Sequence, residues 1–596
     1  MKRQELHKTQ LDNVNNASIY HMAFSIAATF RKARIHSTEL PAPPNHWKDM
    51  LSHPHKAGFL AAAEREFRDL ESAQTFKPTP ISQIGTARPI PVRWVFTYKF
   101  DEDDYLNKYK ARLVVRGDMQ RDSLFEETYA GTLAASVFRF LMAIACYFDL
   151  EIKQFDAKNA FSQAFLDELI YIHYPEGFGR HGHVLRLIKA LYGLRRSPLL
   201  WFNEISKALT KLGFRCIGDA RCLFIKKDLI VFFYVDDICV LYHRDNAEIY
   251  EQFKDQLMST FVLRELGDVK WFLALRVVRD RNQGKLWLVQ DSYIDKLVER
   301  FNINGPPAKT PLSAQELHTF EGTATPEQIL GYQQRIGSCL YAAIQTRPDI
   351  SFTVAKLSQF LTNPGPDHHS AAYRLLSYLS GTRTLGIEYG DTDEETPYEA
   401  ILTSHSPSVV PEGVEPKDIR PKDITTQDVK RYFQPSSDAS FADNPDRKSS
   451  HGFLFKLFKG PIAWMSKKQT HVSTSTTQAE LIAVSEAAKE LIWWTRLFKS
   501  VELDLHENPT IGCDNLQTVR LLNSSAPKLI TKLKHVDILG HWLREQVDLG
   551  SIQVEWVPTG QMPADGFTKA LPKQKHDIFV RQLNLVDIGD RIRRLG

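Results

Sequence analysis

The sequence predicts a multidomain protein of mixed α+β and α/β class. At 596 residues the chain is longer than one hydrophobic core ordinarily supports, so roughly two to four domains are expected. Strand-like and helix-like segments alternate from Trp47 to about Phe301 and again over about 432–570, whereas apolar residues at three- and four-residue spacing predict helices over 311–390. These observations predict two α/β units joined by a helical region.

Three segments are expected to lie outside these units. Residues 1–45 are polar and mildly basic and predict a poorly ordered N-terminal extension. Residues 391–431 are rich in proline, serine and acidic residues without a sustained period, which is typical of a linker or a long surface insertion. Residues 576–596 are expected to form a C-terminal tail.

Composition limits the class of protein. Lysine and arginine total 75 against 71 acidic residues, a formal charge of +4, which is too small to indicate a nucleic-acid partner by itself, so such a partner would need a local groove. The longest apolar runs are shorter than the roughly 18 residues that span a bilayer. The six cysteines show neither CxxC spacing nor a paired Cys/His pattern. A soluble intracellular protein without a disulfide framework or zinc knuckle is expected.

Two adjacent carboxylates, Asp236 and Asp237, interrupt the apolar run LIVFFYVDDICVLY at 229–242. Buried carboxylates are costly unless something compensates them, and neighbouring ones also repel each other. One interpretation is a hairpin turn, in which aspartate is common. The other is a site for a divalent cation, because adjacent carboxylates supply the hard oxygen ligands that Mg²⁺ prefers. The stretch alone favours the turn.

Asp156 lies in LEIKQFDAKNAF, where a strand-like alternation gives way to a helix-compatible segment. A carboxylate at the end of a strand projects from the sheet edge, where a neighbouring hairpin could meet it. Three carboxylates could then share two Mg²⁺ ions, an arrangement used in phosphoryl transfer. The alternative for Asp156 alone is a helix N-cap.

Four motifs follow one another in a specific order: QFDAKNAF at 154–161, YPEGF at 174–178, KALYGLRRSPLLWF at 189–202 and YVDD at 234–237. In this order they resemble the reverse transcriptase of copia-type long-terminal-repeat retrotransposons. The resemblance favours the metal site over the simple turn as the interpretation of Asp236 and Asp237. The resemblance implies a right-hand polymerase, with fingers and palm at 46–300 and a helical thumb or connection at 301–390.

The resemblance also implies roles for individual residues. Asp156, Asp236 and Asp237 would bind two Mg²⁺ ions, with Asp156 and Asp236 as the shared ligands. Phe161 would lie against the sugar 2′ position and exclude a ribose hydroxyl, although a core phenylalanine is an equal alternative. Because a triphosphate needs cations, the candidates for binding it are Lys99, Lys110, Arg112 and Arg116. The segment Trp271, Phe272, Leu273 and Ala274 resembles the hairpin that steadies the primer end, or else forms a core strand.

A second set of acids follows the linker. They are Asp438 in SSDASFAD, Glu480 in STTQAELIA, Asp514 in GCDN and Asp565 in MPADGFTK. Each has an ordinary alternative. Glu480 stands three residues after Thr477, the spacing of a capping box, Asp514 could cap a helix, and the other two could be loop acids.

Together these acids and their surroundings resemble the ribonuclease H domain of the same class of element, over 432–575, in which four acids bind two Mg²⁺ ions. His535 and His541 are candidates for the histidine that related enzymes place before the last acid. The segments TQAEL, LRRSP and ADGFTK depart from the usual family pattern without removing a metal ligand. Gly566 is expected to loosen the helix that follows the last acid.

The sequence thus predicts an RNA-directed DNA polymerase, a nucleotidyltransferase, with ribonuclease H endonuclease activity. Its cofactor would be Mg²⁺, two ions per active site, with Mn²⁺ as the alternative ion. Its partners would be an RNA template, a DNA primer, RNA/DNA hybrid and dNTPs, together with Gag and integrase in an intact element, but no membrane. It would act in the cytoplasm, in a virus-like particle if the element is intact, or in the nucleus. The alternative is a truncated copy that binds hybrid without turnover.

Overall fold

The computed structural model describes residues 35–101, 104–120, 128–390, 432–505, 508–524 and 534–595. Residues 1–34 of the expected N-terminal extension and the whole expected linker at 391–431 lie outside the described residues. The chain forms two compact units. The first contains the described residues up to Ala130 together with Asn159–Ile205, and the second contains Gly131–Lys158 and Ser206–Leu595. Both contain helices and sheets, which confirms the mixed class.

The strands are β1 (Phe76–Pro80), β2 (Val92–Phe100), β3 (Leu106–Val115), β4 (Glu151–Ala157), β5 (Tyr171–Ile172), β6 (His183–Leu187), β7 (Arg215–Ile217), β8 (Ala220–Lys226), β9 (Leu229–Tyr234), β10 (Asp237–Tyr242), β11 (Leu263–Asp268), β12 (Trp271–Phe272), β13 (Leu275–Asp280), β14 (Lys285–Val289), β15 (Leu385–Tyr389), β16 (Phe433–Ser440), β17 (Ser450–Leu457), β18 (Gly460–Lys468), β19 (Thr510–Cys513), β20 (Gln553–Trp556) and β21 (Leu585–Asp587).

The α-helices are α1 (Trp47–Ser52), α2 (Lys56–Ser72), α3 (Ala135–Tyr147), α4 (Ser197–Lys211), α5 (Ala247–Thr260), α6 (Asp291–Arg300), α7 (Pro326–Gln345), α8 (Ser351–Leu357), α9 (Pro366–Gly381), α10 (Thr476–Ser500), α11 (Leu516–Asn523), α12 (Lys534–Asp548), α13 (Lys573–Gln582) and α14 (Gly589–Leu595). Within the described ranges, no helix is both long enough and apolar enough to cross a membrane.

The first unit packs α1 and α2 against two small antiparallel sheets, one of order β1-β6-β5 and one formed by β2 and β3. Its core is aromatic, with Trp47, Phe59 and Trp94 among the buried side chains. Gly193 makes a close approach possible, because its φ is +94° and a Cβ there would lie 2.0 Å from the Val115 carbonyl oxygen. A side chain cannot be accommodated at that position.

The second unit contains three larger sheets. The first has the order β11-β4-β10-β9-β8-β7, and the second has the order β12-β13-β14-β15-β21, in which the C-terminal strand β21 pairs antiparallel with β15. The third has the order β18-β17-β16-β19-β20, with antiparallel pairing from β18 to β16 and parallel pairing from β16 to β20. The long helix α10 packs on this third sheet.

A buried arginine joins three elements of the second unit. Arg139 of α3 donates to the Ile462 carbonyl at 2.8 Å, near the start of β18, and to the Ile344 and Gln345 carbonyls at 2.7 and 2.9 Å, at the end of α7. Its guanidinium carbon lies 3.8 Å from the centroid of the Trp464 ring. Burial lowers the pKa of Arg139 to about 10, so the side chain stays charged at neutral pH. Its charge is therefore balanced by carbonyl dipoles and a π-face.

The helices α6 to α9 enclose a hydrophobic core that includes Tyr332 and Leu375. At its edge, Arg347 donates to both carboxylate oxygens of Asp349, at 2.9 and 2.7 Å, and both side chains are fully buried. The Tyr378 hydroxyl donates to Asp349 at 2.8 Å and lies 2.9 Å from His576 Nε2 of α13. This network ties the helical region to α13.

We predict that Asp349→Asn lowers the free energy of unfolding by about 3–5 kcal/mol, because it leaves the Arg347 guanidinium buried without a counter-charge. Denaturant unfolding followed by tryptophan fluorescence measures the change. The matched control is Asp295→Asn, which removes the exposed ion pair to Arg383 and should cost at most about 1 kcal/mol. Equal effects of the two variants would contradict the prediction.

Candidate active sites

The first three acids lie close to one another in the six-stranded sheet, where β4 ends and β10 begins. In the antiparallel pairing of β10 with β4, Asp237 stands directly opposite Asp156. The hairpin is closed by the pairing of Asp237 with Tyr234, so Val235 and Asp236 form a two-residue turn. The Ala157 N–H donates to the Asp236 carbonyl at 2.9 Å, which fixes the turn against the end of β4. The hairpin and the neighbouring strand are therefore present as the sequence predicts.

The turn that presents these acids is strained. Val235 has a φ of +56°, a region that a β-branched side chain rarely adopts and that glycine usually fills in such a turn. Strain of this kind persists only where the surrounding structure holds it. Here the flanking residues Phe232, Phe233 and Ile238 are all at most 1% exposed, so two buried strands hold the turn.

The environment of the first site disfavours its negative charges. Burial raises the pKa of Asp237 to about 6, with a further contribution from the charge of Asp236, and the hydrogen bond from Gln154 Nε2 at 3.1 Å only partly offsets them. A cation would relieve this cost. The donor set, carboxylate oxygens at the end of a sheet, fits a hard divalent ion.

The second set of acids comes from four different elements. Asp438 lies on β16, Glu480 on α10, Asp514 directly after β19 and Asp565 in the 3₁₀ helix Pro563–Phe567. The parallel register pairs Ser437 with Cys513, so the residues that follow them, Asp438 and Asp514, become neighbours. We call these four acids the carboxylate cluster.

Three members of the carboxylate cluster form a compact set. Ligand oxygens of Asp438, Glu480 and Asp514 all lie within 4.8 Å of one another, and no other group of three ligand residues in the described ranges meets this spacing. Asp438 and Glu480 are 4% and 5% exposed. Closely spaced oxygen donors that are removed from water fit a hard divalent ion. The carboxylate oxygens of the first site are more widely spread, so they would fit such an ion less tightly.

Burial and mutual repulsion dominate the electrostatics of the carboxylate cluster. Burial, followed by the charges of Asp438 and Asp514, raises the pKa of Glu480 to about 9. Burial likewise raises the pKa of Asp438 to about 7, although a hydrogen bond from the Thr568 hydroxyl lowers it in part. Without a metal ion Glu480 would hold a proton at neutral pH, so binding of a metal ion would release protons.

The capping alternative for Glu480 is not observed. Helix α10 is capped by Ser475, whose hydroxyl accepts from the Gln478 N–H at 3.1 Å, and not by a capping box of Thr477 and Glu480. Glu480 instead accepts from the Ala439 N–H at 3.3 Å, on the neighbouring strand.

Asp514 and Asp156 are not caps either. Asn515 caps α11 by accepting from the Thr518 N–H at 3.0 Å, while Asp514 accepts from the Thr559 hydroxyl at 2.9 Å. Asp156 lies inside β4. The carboxylates of Glu480, Asp514 and Asp156 therefore do not cap helices and are available to a ligand.

Two residues beside Asp565 were missed in the sequence. The Thr568 hydroxyl donates to Asp438, and the Lys569 ammonium forms an ion pair with Asp565. In the sequence, only their position three and four residues after Asp565 indicates that these two side chains could lie near that acid. Gly566 also differs from expectation. It lies in a 3₁₀ helix rather than loosening an α-helix, and a Cβ there would lie 2.5 Å from the Phe579 ring.

The histidine candidates receive little support. His541 lies on α12 with an exposed side chain, and the side chain of His535 lies outside the described residues. The role proposed for both residues stays a prediction.

The candidate triphosphate-binding residues all lie in the first unit. Arg112 of β3 lies with its guanidinium carbon 5.4 Å from the centroid of the Tyr192 ring, and Phe161 packs on the same ring at 4.6 Å. Burial lowers the pKa of Lys110, and the charges of Arg112 and Lys99 lower it further. These residues therefore form one basic and aromatic surface.

Arg116 differs from the other candidates, because it is bound to Asp118 in a bidentate ion pair with contacts of 2.7 to 3.2 Å. Phe161 is 8% exposed, as expected for a core residue, although it borders the same surface.

The segment from Trp271 to Ala274 forms a hairpin. Phe272 is buried and stacks on Phe138 with ring centroids 4.6 Å apart. Leu273 and Ala274 form the turn, with φ values of +49° and +58°, and the Tyr341 hydroxyl of α7 donates to the Leu273 carbonyl at 2.7 Å. Phe272 is therefore a core residue, Leu273 and Ala274 form a second strained turn, and the role of the segment at the primer end stays a prediction.

Comparison with known proteins identifies the family. A family model for reverse transcriptase (RNA-dependent DNA polymerase) matches residues 80–314, a range that includes the first three acids. The Pol polyprotein of transposon TNT 1-94 from Nicotiana tabacum is 33% identical over 90% of this chain and 38% of its own length. That of transposon RE2 from Arabidopsis thaliana is 32% identical over 83% of this chain and 32% of its own length. The chain thus spans about a third of these relatives.

A shorter relative is matched throughout. A transposon Ty5-1 protein of Saccharomyces cerevisiae is 30% identical over 56% of this chain and 100% of its own length. Among solved structures, a foamy viral protease-reverse transcriptase in complex with RNA/DNA hybrid covers 85% of this chain and 74% of its own, at 12% identity and a TM-score of 0.31, which is too low to assign a fold. The resemblance predicted from the four ordered motifs is confirmed by the sequence relatives, and the chain belongs to the copia-type retrotransposon Pol polyproteins and carries their reverse transcriptase domain.

Proposed function

We propose that the chain is an RNA-directed DNA polymerase that also cleaves the RNA strand of an RNA/DNA hybrid. The observation that carries the polymerase assignment is the register that sets Asp156 opposite Asp237, beside the strained turn at Asp236. Carboxylates held at a sheet edge suit nucleotidyl transfer, in which metal ions rather than a protein nucleophile carry the chemistry.

In the polymerase site, Asp156, Asp236 and Asp237 would hold two Mg²⁺ ions, with Mn²⁺ as the alternative. Such ions would activate the attacking primer hydroxyl and stabilise the leaving oxygen of a dNTP. Asp156 and Asp236 would be the shared ligands. The β9–β10 hairpin carries Asp236 and Asp237, and the pairing of β10 with β4 holds Asp156 beside them.

In the first unit, Lys99, Lys110 and Arg112 would bind the triphosphate of the incoming nucleotide. Arginine suits bidentate phosphate contact and lysine acts as a point charge. Arg116 would have to leave Asp118 to take part. The hairpin Trp271–Ala274 would steady the primer end, with Phe272 anchored in the core and the turn residues facing the nucleic acid.

In the second site, the carboxylate cluster would hold two further Mg²⁺ ions and form a ribonuclease H centre. The convergence of Asp438, Glu480 and Asp514 from separate elements supports this assignment. Thr568 would orient Asp438 through its hydroxyl.

The partners proposed for the protein are an RNA template, a DNA primer, their hybrid and dNTPs. Backbone contacts would hold the nucleic acid without reading its sequence. Gag and integrase would be further partners in an intact element, and the protein would then act in the cytoplasm in a virus-like particle, or in the nucleus.

We predict that Asp236→Asn lowers primer extension on a poly(rA) template with Mg²⁺ by at least about a hundredfold, because it removes a carboxylate that would hold the metal ions that stabilise the transition state. Cleavage of a labelled hybrid by the same variant should be retained. The matched control is Asp228→Asn, which changes an exposed acid in the adjacent β8–β9 turn and should extend primers normally. A wild-type protein that binds hybrid but extends no primer would show that the polymerase assignment is wrong.

For the second site, Asp438→Asn should abolish cleavage of the labelled hybrid while leaving primer extension intact. The control is Asp446→Asn, in the loop between β16 and β17, where the acid pairs with Lys468. Persistent cleavage by Asp438→Asn would remove this residue from the site.

The role of Phe161 can be separated from its contribution to packing. We predict that Phe161→Ala raises the incorporation of ribonucleotides relative to deoxyribonucleotides by about tenfold to a hundredfold, because exclusion of a hydroxyl by bulk is lost. Phe76→Ala serves as the control, since Phe76 is 6% exposed in the core of the same unit and should cost similar stability. An unchanged ratio in Phe161→Ala, with both activities reduced, would identify Phe161 as a core residue only.

A further inference from the structure

One ammonium group lies among the acids of the carboxylate cluster. Lys569 forms an ion pair with Asp565, four residues before it. The Lys569 side chain is 44% exposed, whereas Asp565 is 17% exposed. The ammonium therefore reaches the cluster from the solvent side.

The charge of Lys569 is coupled to all four acids. Burial alone would lower the pKa of the ammonium, but the hydrogen bond to Asp565 and the charges of Asp565, Asp438 and Asp514 raise it above its usual value. In return, Lys569 counteracts the rise in the pKa of Asp438 and of Glu480. One positive charge thus opposes the repulsion within the whole cluster.

Lys569 can leave the cluster without disturbing its supports. The preceding residue, Thr568, is fully buried and bonded to Asp438, so it fixes this segment against β16. Lys569 by contrast has a half-exposed side chain on a flexible four-carbon stem that carries a point charge. Movement of the ammonium into solvent requires only side-chain rotation.

We propose that Lys569 is a resident cation of the carboxylate cluster, which it stabilises in the metal-free protein and for which it competes with a divalent metal ion. The inference rests on the proposed assignment of the cluster as a metal site. Since the ammonium and the metal ion would use the same carboxylates, each weakens the binding of the other. Lys569 would then lower the metal affinity of the site and favour release of the ion.

The test is binding of Mg²⁺ to the full chain in the absence of nucleic acid. Lys569→Gln should lower the melting temperature without Mg²⁺, because the acids lose their counter-charge. The same variant should lower the Mg²⁺ concentration at half-saturation, measured by titration calorimetry, by at least about threefold, because a competing positive charge at ion-pair distance is removed. A purely structural role would instead weaken the binding of Mg²⁺, so the sign of the change separates the two roles.

Two variants serve as controls. Lys569→Arg keeps the positive charge and should keep the half-saturation point of the wild type. Lys573→Gln removes a second lysine–aspartate pair of the same spacing, that of Lys573 with Asp577 on α13, where both side chains are about half exposed. It should leave Mg²⁺ binding unchanged. Asp438→Asn identifies the part of the Mg²⁺ signal that comes from the carboxylate cluster rather than from the first site.

The outcomes are distinguishable. If the wild type shows Mg²⁺ binding that depends on Asp438, but Lys569→Gln leaves the half-saturation point unchanged or raises it, the competition is refuted while the proposed nuclease site stands. If Asp438→Asn binds Mg²⁺ as the wild type does, the carboxylate cluster is not a metal site, and both the proposed nuclease and this inference are wrong.

Discussion

Repulsion between carboxylates of like charge is the constraint on which both candidate sites depend. Asp237 stands opposite Asp156 and next to Asp236, and the carboxylate cluster brings Asp438 and Glu480 together with less than a tenth of either residue exposed. Such groups separate unless the surrounding structure prevents it. In both sites the acids are attached to buried strands or to a helix packed on a sheet, so the hydrophobic core opposes the repulsion. Apolar sequence around the acids is thus part of the site.

Two neighbouring hairpins of the second unit carry backbone strain. Val235 in one and Leu273 and Ala274 in the other adopt positive φ without being glycine. The two hairpins share a core, because Phe138 packs on both Phe232 of β9 and Phe272 of β12. Tightly packed aromatic rings can hold unfavourable turns in place. The stability of this core and the geometry of the acids are therefore linked.

Much of the first site could be predicted from the sequence. An acidic pair between two apolar runs indicates a hairpin, and the alternation of apolar and polar residues before Asp156 indicates a strand. The helix ends were less predictable. Ser475 and Thr477 are both good caps, and only tertiary contacts place Glu480 against Ala439 rather than at the helix end. The roles of Thr568 and Arg139 were not predictable, because each depends on partners more than a hundred residues away.

The pairing of β21 with β15 has a consequence for synthesis of the chain. Leu385 pairs with Asp587 and Ile387 with Leu585, so the second sheet is incomplete until residues 585–587 have been synthesised. Until then β15 is an unprotected edge strand, which is a template for aggregation. Long-range pairing of this kind is also slow to form. A chain truncated just before Leu585 would keep all seven acids and still lack the strand that covers β15.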